Sequence, residues 1–283
     1  MAQATDMVGT RVIRKPSRSN GAKPVTIVYG IDFSGAADAG KKMMVASCVL
    51  RHRAQKFWML TVRHVRAACE LPGGGRDPQA ATDALRCELL QAQSGSDLII
   101  GIDSPPSIAS QFVQDRDWLT WAGAFAHHYP TPEAFRDKTS IPHPSGGSRA
   151  EPKRETDIRH KTPMPPQNLR MYKQTYWAIR GVFAPLAAQG FAVVPCMPVV
   201  DEKPRLMESC PASVLKRLGL YKVPYKGTQP KHKRRRVELM DHLARGVAIG
   251  GQGDGKMAVE LADPSLKARL ARDTGADALD AVL

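Results

Sequence analysis

The sequence predicts an α/β fold: a mixed five-stranded sheet flanked by helices, in which an antiparallel meander precedes parallel strands. Three runs rich in β-branched and aromatic residues, at 25–35, 43–50 and 56–65, follow one another with only short turns between them. This spacing predicts the meander. Later strand patterns at 97–106 and 205–208 are separated by helical patterns, and connections of that length join parallel strands.

Length and composition indicate one domain at 24–283 that contains an insertion. The 283 residues include 42% hydrophobic ones, which is enough for a proper core. Residues 1–23 carry five Lys and Arg among small polar residues. Such a composition cannot bury enough apolar surface to order itself, so it predicts a disordered basic tail.

The charge balance favours a polyanionic partner. Lys and Arg number 41 against 27 Asp and Glu, a formal net charge of +14, so nucleic acid is the first partner expected. The five cysteines form no C-x-x-C pair, which argues against a disulfide framework and fits a reducing cytoplasm. No apolar run approaches the roughly 18 residues of a membrane span, so no membrane contact is expected.

The first strand, V-T-I-V-Y-G-I-D-F-S-G at 25–35, ends in a carboxylate. A run this hydrophobic indicates a strand covered on both faces. Asp32 stands where the strand ends, and Ser34 and Gly35 allow a tight turn and close approach of a ligand. This position favours a chemical role for Asp32 over a packing role.

Residues 35–42, G-A-A-D-A-G-K-K, match a phosphate-binding loop except at the last position. Such a loop needs Ser or Thr after its lysine for the metal, and it must open a helix. Lys42 stands at the hydroxyl position and a strand pattern follows, so the glycines are expected to make a hairpin turn. Lys41 is kept as a candidate to hold phosphate.

Two further strands end in acids. A helical pattern at 80–93 leads to D-L-I-I-G-I-D-S-P-P at 97–106, a buried strand that ends at Asp103 and is stopped by prolines. After a helix at 169–189 and the start of a strand at 191–194, a short strand ends at Glu208. Both acids repeat the arrangement at Asp32 and are candidate partners of that residue.

Residues 104–168 predict an irregular insertion over the site. The stretch is rich in Pro, Gly, His and charge, with a short helical patch at 118–126, and loops this long are usually functional or disordered. Arg154, Asp157 and Arg159 are the charges expected to reach inward, with Arg154 holding phosphate. The histidines share no metal-ligand spacing and are interpreted as surface or packing residues, so no zinc is expected.

A basic cluster, K-H-K-R-R-R at 231–236, leads into a helix. A charged helix start is most often a solvated face. In so basic a chain it is also a credible phosphate contact. The candidate residues are Lys233, Arg234, Arg235 and Arg236.

The stretch at 273–283, D-T-G-A-D-A-L-D-A-V-L, predicts a helix on which Asp277 and Asp280 share one face. Thr274 with Asp277 resembles a capping box, so Asp277 has a structural interpretation as well as a metal-binding one. Asp280 has no capping role in this pattern, which leaves a metal ligand as its interpretation.

The order of these elements resembles the ribonuclease H-like fold of polynucleotidyl transferases. More closely, five motifs look like those of the family called domain of unknown function 429: G-I-D-F-S-G-A at 30–36, I-G-I-D-S-P at 100–105, R-E-T-D at 154–157, E-S-C-P-A at 208–212 and D-A-L-D-A at 277–281. The resemblance covers about residues 25–283, and the five motifs in this order are fairly specific. That family is described as predicted nucleases, so the resemblance implies a nuclease.

Phosphodiester cleavage gives the acids a definite role. Two divalent ions about 3.5 to 4 Å apart can stabilise the attacking and leaving oxygens together, and carboxylates are natural ligands for Mg²⁺ or Mn²⁺. Asp32, Asp103 and Asp280 are the expected metal ligands, with Asp277 beside them. Glu208 is expected to act as a further ligand or as a base that positions water.

Two other interpretations stay open. G-I-D-F-S-G also resembles the phosphate turn of actin-like and sugar-kinase phosphotransferases, although the chain lacks a second phosphate loop and a Gly-Gly adenosine motif. The positive charge alone would suit a non-catalytic nucleic-acid-binding module. On that hypothesis four acids at element ends are hard to explain, because carboxylates weaken phosphate binding when no metal is present.

Overall fold

The computed structural model describes residues 25–93, 97–141, 150–160, 162, 164–249 and 255–283. The basic tail predicted at 1–23 lies outside the described residues.

The described residues form one mixed sheet of eight strands with helices on both faces. Its spatial order is β5-β6-β4-β1-β2-β3-β8-β7. The α/β class is therefore confirmed, whereas the predicted count of five strands is wrong. The strands are β1 Thr26–Asp32, β2 Met44–Ala54, β3 Phe57–Ala67, β4 Asp97–Ile102, β5 Ala192–Val194, β6 Arg205–Glu208, β7 Val247–Ile249 and β8 Gly255–Leu261.

Strand directions follow the sequence prediction in the middle of the sheet. β1, β2 and β3 pair antiparallel as a meander, and β4 and β6 add in parallel on the other side of β1. The unpredicted strands lie outside this group, with β8 parallel to β3 and β7 antiparallel to β8. β8 begins G-K-M and contains Glu260, so charge interrupts the hydrophobic pattern that reveals a strand.

Twelve α-helices are present in the described part of the chain. A π-helical segment, Ile179–Phe183, joins α7 to α8. The helices are α1 Ala39–Lys42, α2 Pro78–Ala92, α3 Trp118–Gly123, α4 Phe125–His128, α5 Pro132–Lys138, α6 Glu155–Arg159, α7 Tyr172–Ala178, α8 Ala184–Ala188, α9 Pro211–Arg217, α10 Pro230–Arg245, α11 Pro264–Arg272 and α12 Asp277–Asp280.

Two hydrophobic cores cover the two faces of the sheet. On one face, α2 and the α7–α8 region bury side chains such as Leu85 and Phe183 against Ile31 and Ile100. On the other face, α10 and α11 pack against β8, and α12 packs against β1 and β2. The central strands are covered on both sides, as their continuous hydrophobic runs predict.

The described part of the insertion at 104–168 contains more regular structure than the sequence predicts. It contributes α3 to α6, and Trp121, Phe125 and Phe135 are fully buried. The Phe125 ring centroid lies 4.9 Å from that of Tyr129 and 5.8 Å from that of Tyr176 on α7. Aromatic residues four apart form a helical stripe, and this stripe anchors the insertion to the domain despite its prolines.

The predicted hairpin turn between β1 and β2 contains the short helix α1. A Cβ on Gly40 would lie 1.9 Å from the carbonyl oxygen of Gly75, and the Gly40 amide donates to the Arg76 carbonyl at 2.9 Å. Gly40 is therefore needed for close backbone packing. Lys41, the candidate phosphate ligand beside it, is exposed on α1.

None of the helices within the described ranges has the length and hydrophobicity to cross a lipid bilayer.

Candidate active site

Two of the predicted acids lie at the same edge of the sheet. Asp32 is the last residue of β1 and Asp103 directly follows β4. These neighbouring strands are parallel, and the Asp103 amide donates to the Ile31 carbonyl at 2.8 Å. Because the carboxyl ends of parallel strands meet at one edge, the two carboxylates belong to one cluster.

A third acid, Asp280, reaches this edge from the one-turn helix α12. A Cβ on Gly30 would lie 2.0 Å from the Ala281 carbonyl oxygen, so the end of α12 rests directly on the backbone of β1. Only glycine allows this approach. The contact places the buried Asp280 beside Asp32.

The second aspartate of this helix, Asp277, does not form the predicted capping box. The Asp273 side chain instead accepts from the amides of Gly275 and Ala278, at 3.1 and 2.8 Å. Ala276, which precedes the helix, has a left-handed conformation with φ of 62°. Asp277 is half-buried, and the helix predicted across 273–283 is limited to Asp277–Asp280.

Asp280 is held by two neighbours that the sequence analysis missed. The Tyr225 hydroxyl donates to one Asp280 oxygen at 2.8 Å, and the Lys226 ammonium lies 2.6 Å from the other. Burial lowers the pKa of Lys226, but the charge of Asp280 outweighs it and raises the pKa overall. Lys226 therefore stays charged. The repeated Tyr-Lys pair in Y-K-V-P-Y-K-G at 221–227 was the available signal.

Arg236, predicted to contact phosphate, is instead a structural residue beneath Tyr225 and Lys226. Its side chain is 1% exposed. The guanidinium donates to the backbone carbonyls of Tyr225 at 2.6 Å, Gly227 at 3.2 Å and Ala271 at 3.0 Å. These bonds fix the backbone on either side of Lys226, so Arg236 positions the residues that hold Asp280.

The other basic residues of α10 divide into two groups. Arg235 donates to the Leu220 carbonyl at 2.8 Å and pairs with Glu238 at 3.2 Å. Lys233 and Arg234 are exposed. The four predicted phosphate contacts thus comprise two solvent-facing cations and two arginines with structural bonds.

The predicted residues Arg154, Asp157 and Glu208 come together, but as an ion cluster. Arg154 donates to both Glu208 oxygens at 2.8 Å and to the Asp157 oxygens at 3.0 and 2.6 Å. Arg154 is 8% exposed and Asp157 is 1% exposed. The guanidinium predicted to hold phosphate is therefore occupied by two carboxylates, and Asp157 has a structural partner where a substrate contact was expected.

The carboxylates at the sheet edge are hard to ionise together. The pKa of Asp32 is raised to about 9, first by burial and then by the charges of Asp280 and Asp103. The pKa of Asp103 is raised to about 7, again by burial first and by Asp280 second. Burial also raises the pKa values of Asp277 and Asp280. Lys226 opposes these shifts without cancelling them.

A cavity of about 610 Å³ opens beside the cluster. Asp103, Asp280 and Lys226 line it together with Arg154 and Glu208. Its volume is within the range of about 300 to 1,000 Å³ that is usual for small-molecule sites. The acids therefore border a space that can admit a ligand.

Comparison with protein-family models, curated proteins and solved structures finds no match to this chain.

The donor chemistry of the cluster suits a hard divalent cation, although no site is preformed. Oxygen ligands are those that Mg²⁺ and Mn²⁺ prefer. Burial first, and neighbouring carboxylates second, raise the pKa values of Asp32 and Asp103, so a cation bound between them would favour their ionised forms. Within the described ranges, no three His, Cys, Asp or Glu side chains form a group arranged to bind a metal.

Proposed function

We propose that this protein is a metal-dependent nuclease that hydrolyses phosphodiester bonds of DNA or RNA. The observation that carries the proposal is the gathering of Asp32, Asp103 and Asp280 from β1, β4 and α12 at one sheet edge, where Asp103 and Asp280 line a cavity. Three separate elements deliver carboxylates to one place, in a chain whose net charge of +14 favours polyanions.

The arrangement of the sheet supports the ribonuclease H-like part of this proposal. The five strands that carry the predicted meander and the parallel acid-bearing strands stand side by side in the order β3-β2-β1-β4-β6. β5, β7 and β8 extend this group at its two ends. The additional strands leave the acid-bearing edge of β1, β4 and β6 intact.

Asp32, Asp103 and Asp280 would hold Mg²⁺ or Mn²⁺, with Asp277 beside them. A bound divalent ion would supply positive charge for the attacking and leaving oxygens of the phosphodiester. Lys226 adds a fixed cation at Asp280, where it can attract the anionic substrate. Tyr225 keeps Asp280 oriented through its hydrogen bond. The hydrogen bond from Arg154 holds Glu208 at the cavity wall.

The direct test is cleavage of labelled single-stranded and duplex DNA and RNA in Mg²⁺, in Mn²⁺ and in chelator. We expect products only with metal, and we expect Asp280→Asn to lose at least about 100-fold in rate, because the amide cannot hold the cation. Asp201→Asn is the matched control, since Asp201 is an exposed acid away from the cavity. An Asp280→Asn protein as active as the control would contradict the proposal.

The exposed cations of α10 give a prediction about affinity. Replacing Lys233 and Arg234 by Ala should weaken nucleic-acid binding with little sequence preference, and should reduce the slope of log affinity against log salt by about 2. The melting temperature should stay unchanged because both side chains are exposed. Binding is measured by fluorescence anisotropy across a salt series.

Arg236→Ala is the contrasting variant for that experiment. It removes charge-assisted bonds from a buried guanidinium to three backbone carbonyls, so it should destabilise the fold by about 2 kcal/mol. A larger change in salt slope for Arg236→Ala than for the double variant would contradict this prediction, because it would mean that phosphate contacts Arg236 and not Lys233 and Arg234.

A further inference from the structure

An exposed aromatic side chain lines the same cavity as the acids. Tyr221 is 46% exposed and lines the cavity together with Val223 and Pro224. The Lys216 ammonium lies 5.0 Å from the centre of its ring. Large aromatic side chains usually bury their apolar area. The exposed Tyr221 ring therefore offers apolar area that a ligand in the cavity can cover.

The segment that carries Tyr221 is held at both ends. On one side, the Leu220 carbonyl accepts from Arg235 at 2.8 Å, and the Leu220 amide donates to the Leu215 carbonyl at 2.8 Å. On the other side, Arg236 binds the Tyr225 and Gly227 carbonyls. The two arginines that are unavailable to phosphate thus fix the segment that presents the ring.

The surroundings of the ring are cationic and apolar. Lys216, Lys222 and Lys226 line the cavity. Lys226 is paired with Asp280 and Arg154 with two carboxylates, so Lys216 and Lys222 are the lysines that would meet an anionic group. Pro105 and Met171 add apolar surface. An aromatic face beside several lysines suits a ligand with a flat ring and an anionic group, and a nucleotide has both.

The same features discriminate between paired and unpaired nucleic acid. In a duplex the base faces are stacked, and only base edges are open in the grooves. A cavity of about 610 Å³ is of a size for one ligand of small-molecule dimensions. Stacking on Tyr221 therefore requires a base that is unpaired or turned out of its helix.

We propose that Tyr221 is a base-stacking platform and that the substrate enters this cavity as an unpaired nucleotide of a single strand. This inference rests on the proposed function and names its substrate class. The base lies on the Tyr221 ring, and the adjoining phosphates lie toward the lysines and the acid cluster. The preference for a single strand over a duplex then comes from Tyr221, while the acids take part in hydrolysis.

The test measures binding without cleavage. The full-length chain carrying Asp32→Asn is titrated in chelator with a fluorescein-labelled 8-nucleotide DNA strand, with the same strand containing one abasic position, and with a duplex of the same sequence. Adding Tyr221→Ala should weaken binding of the intact strand about 5- to 100-fold, the usual effect of losing one stacked base. Tyr221→Phe should keep the affinity, and duplex binding should not change.

Two comparisons make the result specific. Tyr172→Ala is a control for loss of an aromatic ring that has cationic neighbours: Arg136 and Lys173 lie 5.7 Å from its ring centroid, and the residue is partly buried against the core, outside the cavity. It should bind the strand as the parent does. The abasic position is then moved along the strand. At one position it should weaken binding as much as Tyr221→Ala does. Combining that abasic strand with Tyr221→Ala should weaken binding no further, because both changes remove the same contact.

The outcomes separate this inference from the nuclease proposal. Equal binding of the intact strand by Tyr221→Ala and its parent, with metal-dependent cleavage by the wild type, would overturn the platform alone. Tyr221-dependent binding supports the platform even where no metal produces cleavage, and that combination would overturn the nuclease alone. Melting temperatures within about a degree of one another, on the order expected for surface changes, exclude misfolding as the cause.

Discussion

Asp32→Asn is expected to abolish metal-dependent cleavage and, at the same time, to make the metal-free protein more stable at neutral pH. The amide keeps the shape of the side chain but removes a charge that would hold the cation. It also removes a carboxyl whose pKa is raised to about 9, mainly by burial and then by neighbouring acids. The substitution should therefore lower activity and raise stability, a trade-off that is common where an active site is less stable than it could be.

The pH dependence of this gain has a definite sign. A carboxyl with a folded pKa of about 9, against 3.8 ordinarily, holds its proton in the folded state when the unfolded chain has released it. The free energy of unfolding of the wild type therefore falls as pH rises from about 4 to about 9. Since one pKa unit corresponds to about 1.36 kcal/mol, and solvent screens part of the effect, we expect a gain of about 1 to 3 kcal/mol at pH 7.

Thermal melting of both proteins between pH 4 and pH 9 checks this expectation. The melting temperatures should converge near pH 4 and separate as pH rises, with Asp201→Asn following the wild type throughout. Adding Mg²⁺ or Mn²⁺ should raise the melting temperature of the wild type more than that of Asp32→Asn, because binding to the folded state stabilises it. A variant that melts below the wild type at pH 8 would show that the Asp32 carboxyl does not destabilise the metal-free fold.

Arg154→Met is expected to lower the free energy of unfolding by about 3 to 5 kcal/mol. Removing one partner of a buried ion cluster leaves uncompensated charge in the interior. Here the loss would leave Asp157, which is 1% exposed, and Glu208 without the guanidinium that binds both. Arg154→Lys should recover little of the stability, because one ammonium cannot reproduce paired bonds to two carboxylates.

Arg205→Met supplies the comparison for Arg154→Met. Arg205 pairs with Asp97 at the similar distance of 2.7 Å, but the two side chains are 32% and 38% exposed. Exposed pairs contribute about 0 to 1 kcal/mol, so urea unfolding should distinguish the two variants clearly. Adding Asp157→Asn to Arg154→Met should restore part of the loss. Equal effects of Arg154→Met and Arg205→Met would mean that burial of the cluster has little energetic weight.

The sequence could predict the strand-borne acids because a hydrophobic run and its end are both local signals. Asp32 and Asp103 stand at such ends, and their strands are neighbours in the sheet. Tyr225 and Lys226 escaped this approach because they lie in a segment between α9 and α10 with no helical or strand period. Their position depends on Arg236, whose bonds reach 225, 227 and 271, and such contacts across the chain leave no periodic trace.

The buried position of Arg236 was not predicted because it lies within a run of charged residues. Within K-H-K-R-R-R every residue looks equally suited to solvent or phosphate. Helical spacing places Arg236 on the same face as Met240 and Leu243, and these three side chains are all buried. That spacing was readable in the sequence, but the density of charge concealed it. The extent of ordered structure in the insertion was hidden in the same way, because its prolines and glycines masked the aromatic stripe.

The contact of Gly30 with the end of α12 determines when the site can exist during folding. β1 and α12 come from opposite ends of the described chain, and contacts between distant segments are slow to form because long loops must close first. A chain in which only β1 to β4 have assembled holds Asp32 and Asp103 but lacks Asp280. Assembly of the acid cluster is therefore tied to completion of the tertiary structure, and partly folded forms of this protein lack the assembled cluster.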